Sequence, residues 1–417
     1  MIHQLIVQPR MGFADVIQMH RGLAAVKGAS ITPRIGTITV DAYTRVGDLD
    51  GARQALDRGD ALNGYPIATH DFATTTAMLA AVRDRDFAVQ VRHGSARPLT
   101  VFQAAAALGL DATEGGPVSY NLPYSRAPLA ETVQAWGEAI AFWARHGERT
   151  GVETHLESFG GCMLGQLAPP SLLVAIACLE ALFSRQRGLV SVSLSLAQGS
   201  CDAQDVGALW ALARIANRRL DDVAWHVVFY DFMGLFPKTP SGAQALIEAG
   251  ARIAQWGNAQ RLIVKTAADA AGIPTFEQNV QALACCRHAA DEAARRGLPS
   301  AQFEAEARAW CDAIESEAEQ LIEGTLALHA DVGQALVAAF AKGLLDVPYC
   351  THPDNANWAR TTVDLASGAV LWTDTGTMPV EPRSEHLVTT AAMTAEKFHR
   401  VLQYNQARYD LPVAEEA

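Results

Sequence analysis

The chain has 417 residues, 49% of them apolar, with 33 Lys+Arg against 45 Asp+Glu and a formal net charge of −12. A charged fraction of 19% is too low for a largely disordered chain, and the lack of a basic block argues against nucleic acid or an anionic membrane surface as partner. The seven cysteines are irregularly spaced without a Cys-x-x-Cys pair, and Met1–Arg10 has no basic region ahead of an apolar core, so a reduced, cytoplasmic protein without a secretory leader is expected.

In chain order, short β-type runs alternate with Ala/Leu-rich helical stretches. Leu5–Gln8 and Thr37–Val40 come before a helical Leu49–Leu56. Tyr65–Ala68 precedes a helix at Ala73–Val82, and Ala88–Val91 and Asp111–Glu114 precede one at Leu129–Ala144. Val152–Ser158, Val190–Leu196, Val223–Tyr230 and Leu262–Val264 alternate with helices over Leu172–Arg185, Asp205–Arg218 and Ala243–Trp256. This rhythm predicts the α/β class, with parallel strands closed into a (β/α)8 TIM barrel. Nine runs compete for eight places, and the pattern leaves open which one lies outside. The apolar stretch Leu172–Phe183 is interrupted by Glu180 and too short to cross a bilayer, so it reads as a buried helix.

Near residue 297 the pattern changes. Pro299–Leu328 and Val332–Leu345 read as helices, the chain turns polar from Pro348, Ala369–Trp372 reads as β and Ala392–Gln403 as helix. The last residues, from Ala414, read as a frayed end. The expected division is a barrel over 1–345, including the helical 297–345 segment, and a small C-terminal α+β lobe over 346–417.

Barrels of this kind carry their chemistry where the strands end. Arg10 and Gly12 follow the first run, Asp41 and Arg45 the second, and Arg92, His93 and Gly94 the Ala88–Val91 run. Glu114 closes the Asp111–Glu114 run, ahead of Tyr120 and Tyr124, and Lys265 follows Leu262–Val264. Three arginines facing one mouth repel one another and need a shared anion. Their planar forks suit carboxylates. Without a P-loop or Gly-x-Gly-x-x-Gly, a small dicarboxylate fits better than a nucleotide. Glu114 suits a substrate ammonium or, alternatively, an ion pair that quiets the arginines. Tyr120 and Tyr124 read as site wall or as ordinary packing. No metal-ligand spacing and no Gly-x-Ser-x-Gly occurs, so neither a metal site nor a serine nucleophile is expected. The residues alone reach an amino-dicarboxylate pocket and no particular reaction.

Colinear motifs go further. Gln8-Pro-Arg-Met-Gly12, Asp41-Ala-Tyr-Thr-Arg45, Leu62-Asn-Gly-Tyr-Pro66, Val91-Arg-His-Gly94, Glu114-Gly-Gly-Pro-Val-Ser-Tyr-Asn-Leu-Pro-Tyr124, Glu157-Ser-Phe-Gly160, Val264-Lys-Thr266 and Asp346-Val-Pro-Tyr349 occur in order. Through these, and over about residues 4 to 375, the chain resembles the large (epsilon) subunit of glutamate mutase, also called methylaspartate mutase. The resemblance implies a (β/α)8 barrel that binds L-glutamate and rearranges its carbon skeleton to 3-methylaspartate through a radical. It implies adenosylcobalamin shared with a small subunit that carries an Asp-x-His-x-x-Gly motif, a motif not present in this chain. It also implies a homodimer of large subunits within a heterotetramer.

Residue by residue, Arg10, Arg45 and Arg92 match the family's carboxylate clamp, with His93 in the same motif. Glu114 matches the residue that binds the amino group, and Tyr120 and Tyr124 match substrate contacts. The catalytic set implied is Glu114, Arg45 and Arg92. Gly12, Asn63, Pro123, Phe236, Lys265 and Ile273 match positions beside the cofactor. Asp269 stands where the family has Glu, Ala267-Ala268 where it has Pro-His, Leu235 and Pro117 where it has Gly, and Tyr230 where it has His. The family's N-terminal helical extension is expected to be missing. The substrate motifs are better kept than the cofactor motifs. That leaves a non-catalytic or diverged paralogue binding an amino dicarboxylate, or a mutase for a related amino acid, as the alternatives.

Overall fold

The computed structural model describes residues 4–160, 167–270, 272–381 and 393–410, and within them most of the apolar runs become short strands. They are β1 (Ile6–Pro9), β2 (Gly36–Thr39), β3 (Val89–Arg92), β4 (Ala112–Glu114), β5 (His155–Phe159), β6 (Ser191–Ala197), β7 (Ala224–Tyr230) and β8 (Arg261–Val264). Six of them form one curled parallel sheet in the order β1-β8-β7-β6-β5-β4, a half-barrel, and β2 pairs in parallel with β3. The two ladders meet at both ends. Val7 on β1 receives the Ile35 amide and donates to Pro33 O, each at 3.2 Å, just ahead of β2. On the other side Thr113 Oγ1 of β4 donates to Val91 O of β3 at 3.1 Å.

The run that stays outside is Tyr65–Ala68. Its Tyr65 amide reaches Thr39 O at 2.8 Å, an isolated bridge, and then the chain turns as Ile67 donates to Tyr65 O. Pro66 has no N–H to extend a ladder.

Helices pack against the strands in the expected alternation. Period-two alternation sends the apolar side chains of β6 outward to the helices and leaves Ser191, Ser193 and Ser195 on its other face. Pro170–Gln186 is buried on nearly all sides because strands lie on one flank and the helices Ala301–Leu326 and Val332–Ala341 on the other. The helices Val16–Gly28 and Leu99–Ala107 also belong to this layer. Beyond residue 345, Arg360–Val363 pairs antiparallel with Val370–Asp374, followed by the helices Ala395–Leu402 and Tyr404–Asp410. Trp372 from this segment is buried in the main hydrophobic core, with its indole N–H on Glu317 Oε2 at 3.1 Å. The six described cysteines are free thiols. Cys162, Ala392 and the Ala414 end lie outside the described residues. Among the described residues no helix is long and apolar enough to cross a membrane.

Candidate active site

Arg92 and Glu114 are the last residues of β3 and β4, so each strand delivers one charge to the same end of the sheet. The two touch: Arg92 Nη1 lies 2.7 Å from Glu114 Oε2, with both side chains almost wholly buried. Tyr120 donates its hydroxyl to the other oxygen, Oε1. Tyr230, the last residue of β7, accepts from Arg92 Nη1 at 2.8 Å and contacts Glu114 Oε2 at 3.1 Å. Burial pushes the Glu114 pKa up, Arg92 pulls it back, and the nearby Glu157 raises it again; the net direction is up.

A second polar layer lies beneath. Glu157 of β5 receives the Tyr230 hydroxyl on Oε1 and Arg261 Nη2 of β8 on Oε2, the latter at 2.6 Å. Arg261 also donates to Gln8 Oε1 at 2.9 Å and to Gln90 Oε1 at 2.6 Å. His155 sits lower still, between Ser191 and Ser193, and burial followed by Arg261 brings its pKa down to about 3. Buried charges persist only when paired and hydrogen-bonded, and here two cations balance two anions.

Of the residues predicted for the substrate, most come together. Arg45 sits in the short helix Ala42–Val46, capped by Asp41, and its Nε donates to His93 O at 3.1 Å. His93 is buried against Trp136 and Tyr120. Its Nδ1 accepts the Ser95 amide at 3.0 Å. Burial first, then Arg45 and Arg92, lowers its pKa to about 3, so it is neutral over the ordinary pH range. Tyr124 is half-exposed and meets the Tyr120 ring edge-on at 6.0 Å. Arg10 differs. It is half-buried on the β1–β7–β8 side, with Nη1 3.6 Å from Met233 Sδ. Among the described residues neither Arg10 nor Arg45 is in an ion pair, so the three arginines are not equivalent: one is neutralised by Glu114 and two are not.

The loop that carries Tyr120 is fixed by the acid that interrupts the apolar stretch Leu172–Phe183. Glu180 of helix Pro170–Gln186 is fully buried and accepts the Val118 and Ser119 amides, both at 2.9 Å, and the Ser119 hydroxyl at 2.8 Å. A Cβ on Gly116 would lie 2.1 Å from Glu180 Cδ, so any side chain there would push this hydrogen-bonded carboxylate out of place. Glu157, Arg261 and Tyr230 were also missed as site residues. Their signal was visible: a polar residue inside an otherwise apolar strand, as with Gln8, Gln90, Glu157 and Arg261, marks a buried polar layer that must pair with itself.

The residues predicted for the cofactor are looser. Lys265 Nζ lies 4.3 Å from the Phe236 ring centroid, and both line a cavity of about 770 Å³ with Leu235, Asp269 and Gln406. Burial first, then Arg10, lowers the Lys265 pKa to about 8 against the pull of Asp269 and Asp231. Asp269 Oδ2 accepts the Thr266 amide at 2.6 Å while Thr266 Oγ1 accepts the Asp269 amide at 3.2 Å, a reciprocal cap on a 3-10 turn. Gly12 is pressed on Thr39 O, 2.4 Å from where a Cβ would sit. Asn63 is exposed and accepts the Ala42 amide. Ile273 is exposed, and Pro123 lines a separate cavity of about 440 Å³ with Tyr124, Arg126 and Tyr349.

Comparison with known proteins gives a consistent result. The family model described as methylaspartate mutase E chain (MutE) matches residues 2–405. A protein of Haloarcula marismortui named glutamate mutase epsilon subunit is 32% identical over 385 residues, covering 88% of this chain and 73% of that protein. One of the same name from Escherichia coli O157:H7 is 29% identical over 357 residues, 82% of this chain and 72% of that one. A third, from Halobacterium salinarum, is 30% identical over 356 residues.

Proposed function

The chain belongs to the methylaspartate mutase E chain family, and on that premise we propose that it is the large subunit of an adenosylcobalamin-dependent glutamate mutase, an isomerase converting L-glutamate to 3-methylaspartate. The observation that carries this reading is the buried Arg92–Glu114 pair with Arg45 beside it. A ligand with a carboxylate and an ammonium complements such a pair group for group. Arg45, Arg92 and Arg10 would hold the two carboxylates, Glu114 with Tyr120 the ammonium, and His93 and Tyr124 the flanks. Clamping both carboxylates keeps a rearranging skeleton from drifting, and the dry surroundings keep a reactive species from water.

The cofactor side fits an adenosyl group in one respect. Its cavity joins an ammonium, Lys265, to an aromatic face, Phe236, and Asp231 behind it has a buried Oδ1 without a hydrogen-bond partner among the described residues. Gly12, Asn63, Pro123, Phe236, Lys265, Asp269 and Ile273 would hold that group. When bound, adenosylcobalamin supplies the carbon-centred radical that removes a substrate hydrogen. The partner proposed is a small cobalamin-binding subunit with the Asp-x-His-x-x-Gly motif, in a cytoplasmic heterotetramer built on two large subunits. The two ladders are proposed as one closed (β/α)8 barrel over 1–345, with a C-terminal lobe over 346–417.

The test is reconstitution of the full chain with its small subunit, adenosylcobalamin and L-glutamate, with 3-methylaspartate followed by NMR. Absence of product from a folded, assembled complex sinks the reading. The Asp269 cap favours a second reading, a diverged paralogue or a mutase for a related amino acid, because the acid is already engaged with Thr266. Calorimetry separates them: a paralogue binds glutamate but shows no cobalamin-dependent assembly.

A further inference from the structure

We infer that Tyr230 is a positioning residue for Glu114, and that Glu157 and Arg261 hold Tyr230 in place from the layer beneath. The inference rests on the glutamate reading above and deepens it, because it says how the ammonium-binding carboxylate is kept charged and aimed.

Four charges meet here, and all are almost wholly buried: Arg92, Glu114, Glu157 and Arg261. Tyr230, also buried, stands between the two carboxylates, with Glu114 Oε2 at 3.1 Å on one side and Glu157 Oε1 on the other. A phenol has one hydrogen to give. It cannot satisfy both carboxylates at once: Glu157 is the nearer acceptor in this structure, and Glu114 Oε2 is the alternative. Where the hydrogen sits depends on what else each carboxylate holds. Glu157 is held by Arg261 at 2.6 Å and by Gln90 Nε2 at 3.3 Å, groups that lie away from the strand ends. The Tyr230 ring is locked in addition by Phe159, 4.5 Å away and edge-on, and by the Arg92 guanidinium 4.9 Å from its centroid.

Now consider what a bound amino dicarboxylate does. Its carboxylate competes with Glu114 for Arg92. Once Arg92 turns to it, Glu114 Oε2 loses its cation and Oε1 keeps Tyr120. Tyr230 is then the donor left to Oε2, one hydroxyl on each oxygen. A carboxylate held by two donors is shifted toward its ionised form and faces the substrate ammonium. Without the Tyr230 hydroxyl, Oε2 would be buried with no donor whenever Arg92 is engaged, and neutralising Glu114 by protonation would be the cheaper state.

The test compares two ligands on the full-length chain by calorimetry: L-glutamate, and glutarate, the same dicarboxylate without the amino group. The wild type should prefer glutamate. Tyr230→Phe should weaken glutamate roughly tenfold and leave glutarate within about twofold, because only the ammonium needs Glu114 aimed and charged. Equal weakening of both ligands would mean that Tyr230 merely packs, and would overturn the inference while leaving the glutamate reading standing. A wild type that binds neither ligand, or does not distinguish them, would overturn that reading and this inference with it.

Should Tyr230→Phe fail to give a cooperative thermal transition, 3-fluorotyrosine placed at position 230 keeps the shape. Its more acidic hydroxyl is a better donor and favours ionised Glu114. The acid limb of glutamate binding should then move to lower pH, with the glutarate profile unmoved. The charged and titratable groups around Tyr230 are unchanged in that experiment: Arg92 from β3, Glu114 from β4 and Glu157 from β5 face the hydroxyl, with Tyr120 on Glu114, His93 beside Tyr120, Arg261 from β8 on Glu157 and His226 from β7 on Arg261. An unmoved glutamate profile would overturn the inference.

Discussion

The ends of β3 and β4 differ sharply from the loops after β7 and β8. At the first, every charged group but Arg45 is paired and sealed from water. At the second, Leu235 and Ile273 are roughly half-exposed and Lys265 lines an open cavity of about 770 Å³. The lesson is that one chain can be finished at one end of its site and unfinished at the other. A small charged ligand must be met by groups already oriented, since reorienting buried charges is costly. On the proposed function, the cofactor would be delivered by a second protein and would need access before order.

The strongest way to break this comparison is Arg92→Ala. It strands Glu114 in a dry site and should cost about 3–5 kcal/mol of folding stability, read by urea denaturation. A loss under about 1 kcal/mol would mean that the pair is not sealed. Next comes Gly116→Ala, which drives a methyl into Glu180 and should cost about 1–3 kcal/mol with a lower melting temperature. Arg45→Lys tests the opposite property. Arg45 carries no ion pair among the described residues, so stability should stay within about 0.5 kcal/mol while glutamate affinity drops roughly tenfold as the fork is lost. Unchanged affinity would remove Arg45 from the clamp.

The open end is tested by pH. The Lys265 pKa is lowered from an ordinary 10.5 to about 8, so below about pH 8 the folded protein carries a cation that it disfavours. As pH rises from about 8 to 10.5 the folded state sheds this proton before the unfolded state does, and stability rises relative to a Lys265→Met variant. Melting temperatures of the two across that range should show the variant's advantage shrinking. A constant gap would mean that Lys265 is freely hydrated.

Much of this was legible in the sequence because the strands are short and apolar and each is followed by a helix. Eight of the nine runs became strands, and Arg92 and Glu114 stood at strand ends as the rhythm required. Pairing was legible only as an alternative role for Glu114, without saying which arginine it meets. Arg92 and Glu114 are 22 positions apart, and nothing in their spacing says that they touch. The ninth run failed on local chemistry: Pro66 cannot donate to a ladder, yet Tyr65 and Ile67 are as apolar and buried as strand residues. Arg360–Val363 escaped notice because its Arg-Thr-Thr-Val lacks a long apolar alternation. Glu180 looked like an interruption in an apolar helix. Its role depends on two amides some sixty residues earlier in the chain, and only the fold brings them within reach.

That carboxylate has a further consequence. Surface loops ordinarily absorb insertions and deletions, which is how related enzymes drift in specificity. The segment after β4 has no such slack. Glu180 acts as a ruler, reading the backbone at Val118 and Ser119, and the missing side chain at Gly116 lets the ruler close on it. One residue more or less would turn Tyr120 away from Glu114. Substitution is therefore tolerated more easily here than insertion or deletion, and Tyr124 lies beyond the backbone that Glu180 measures.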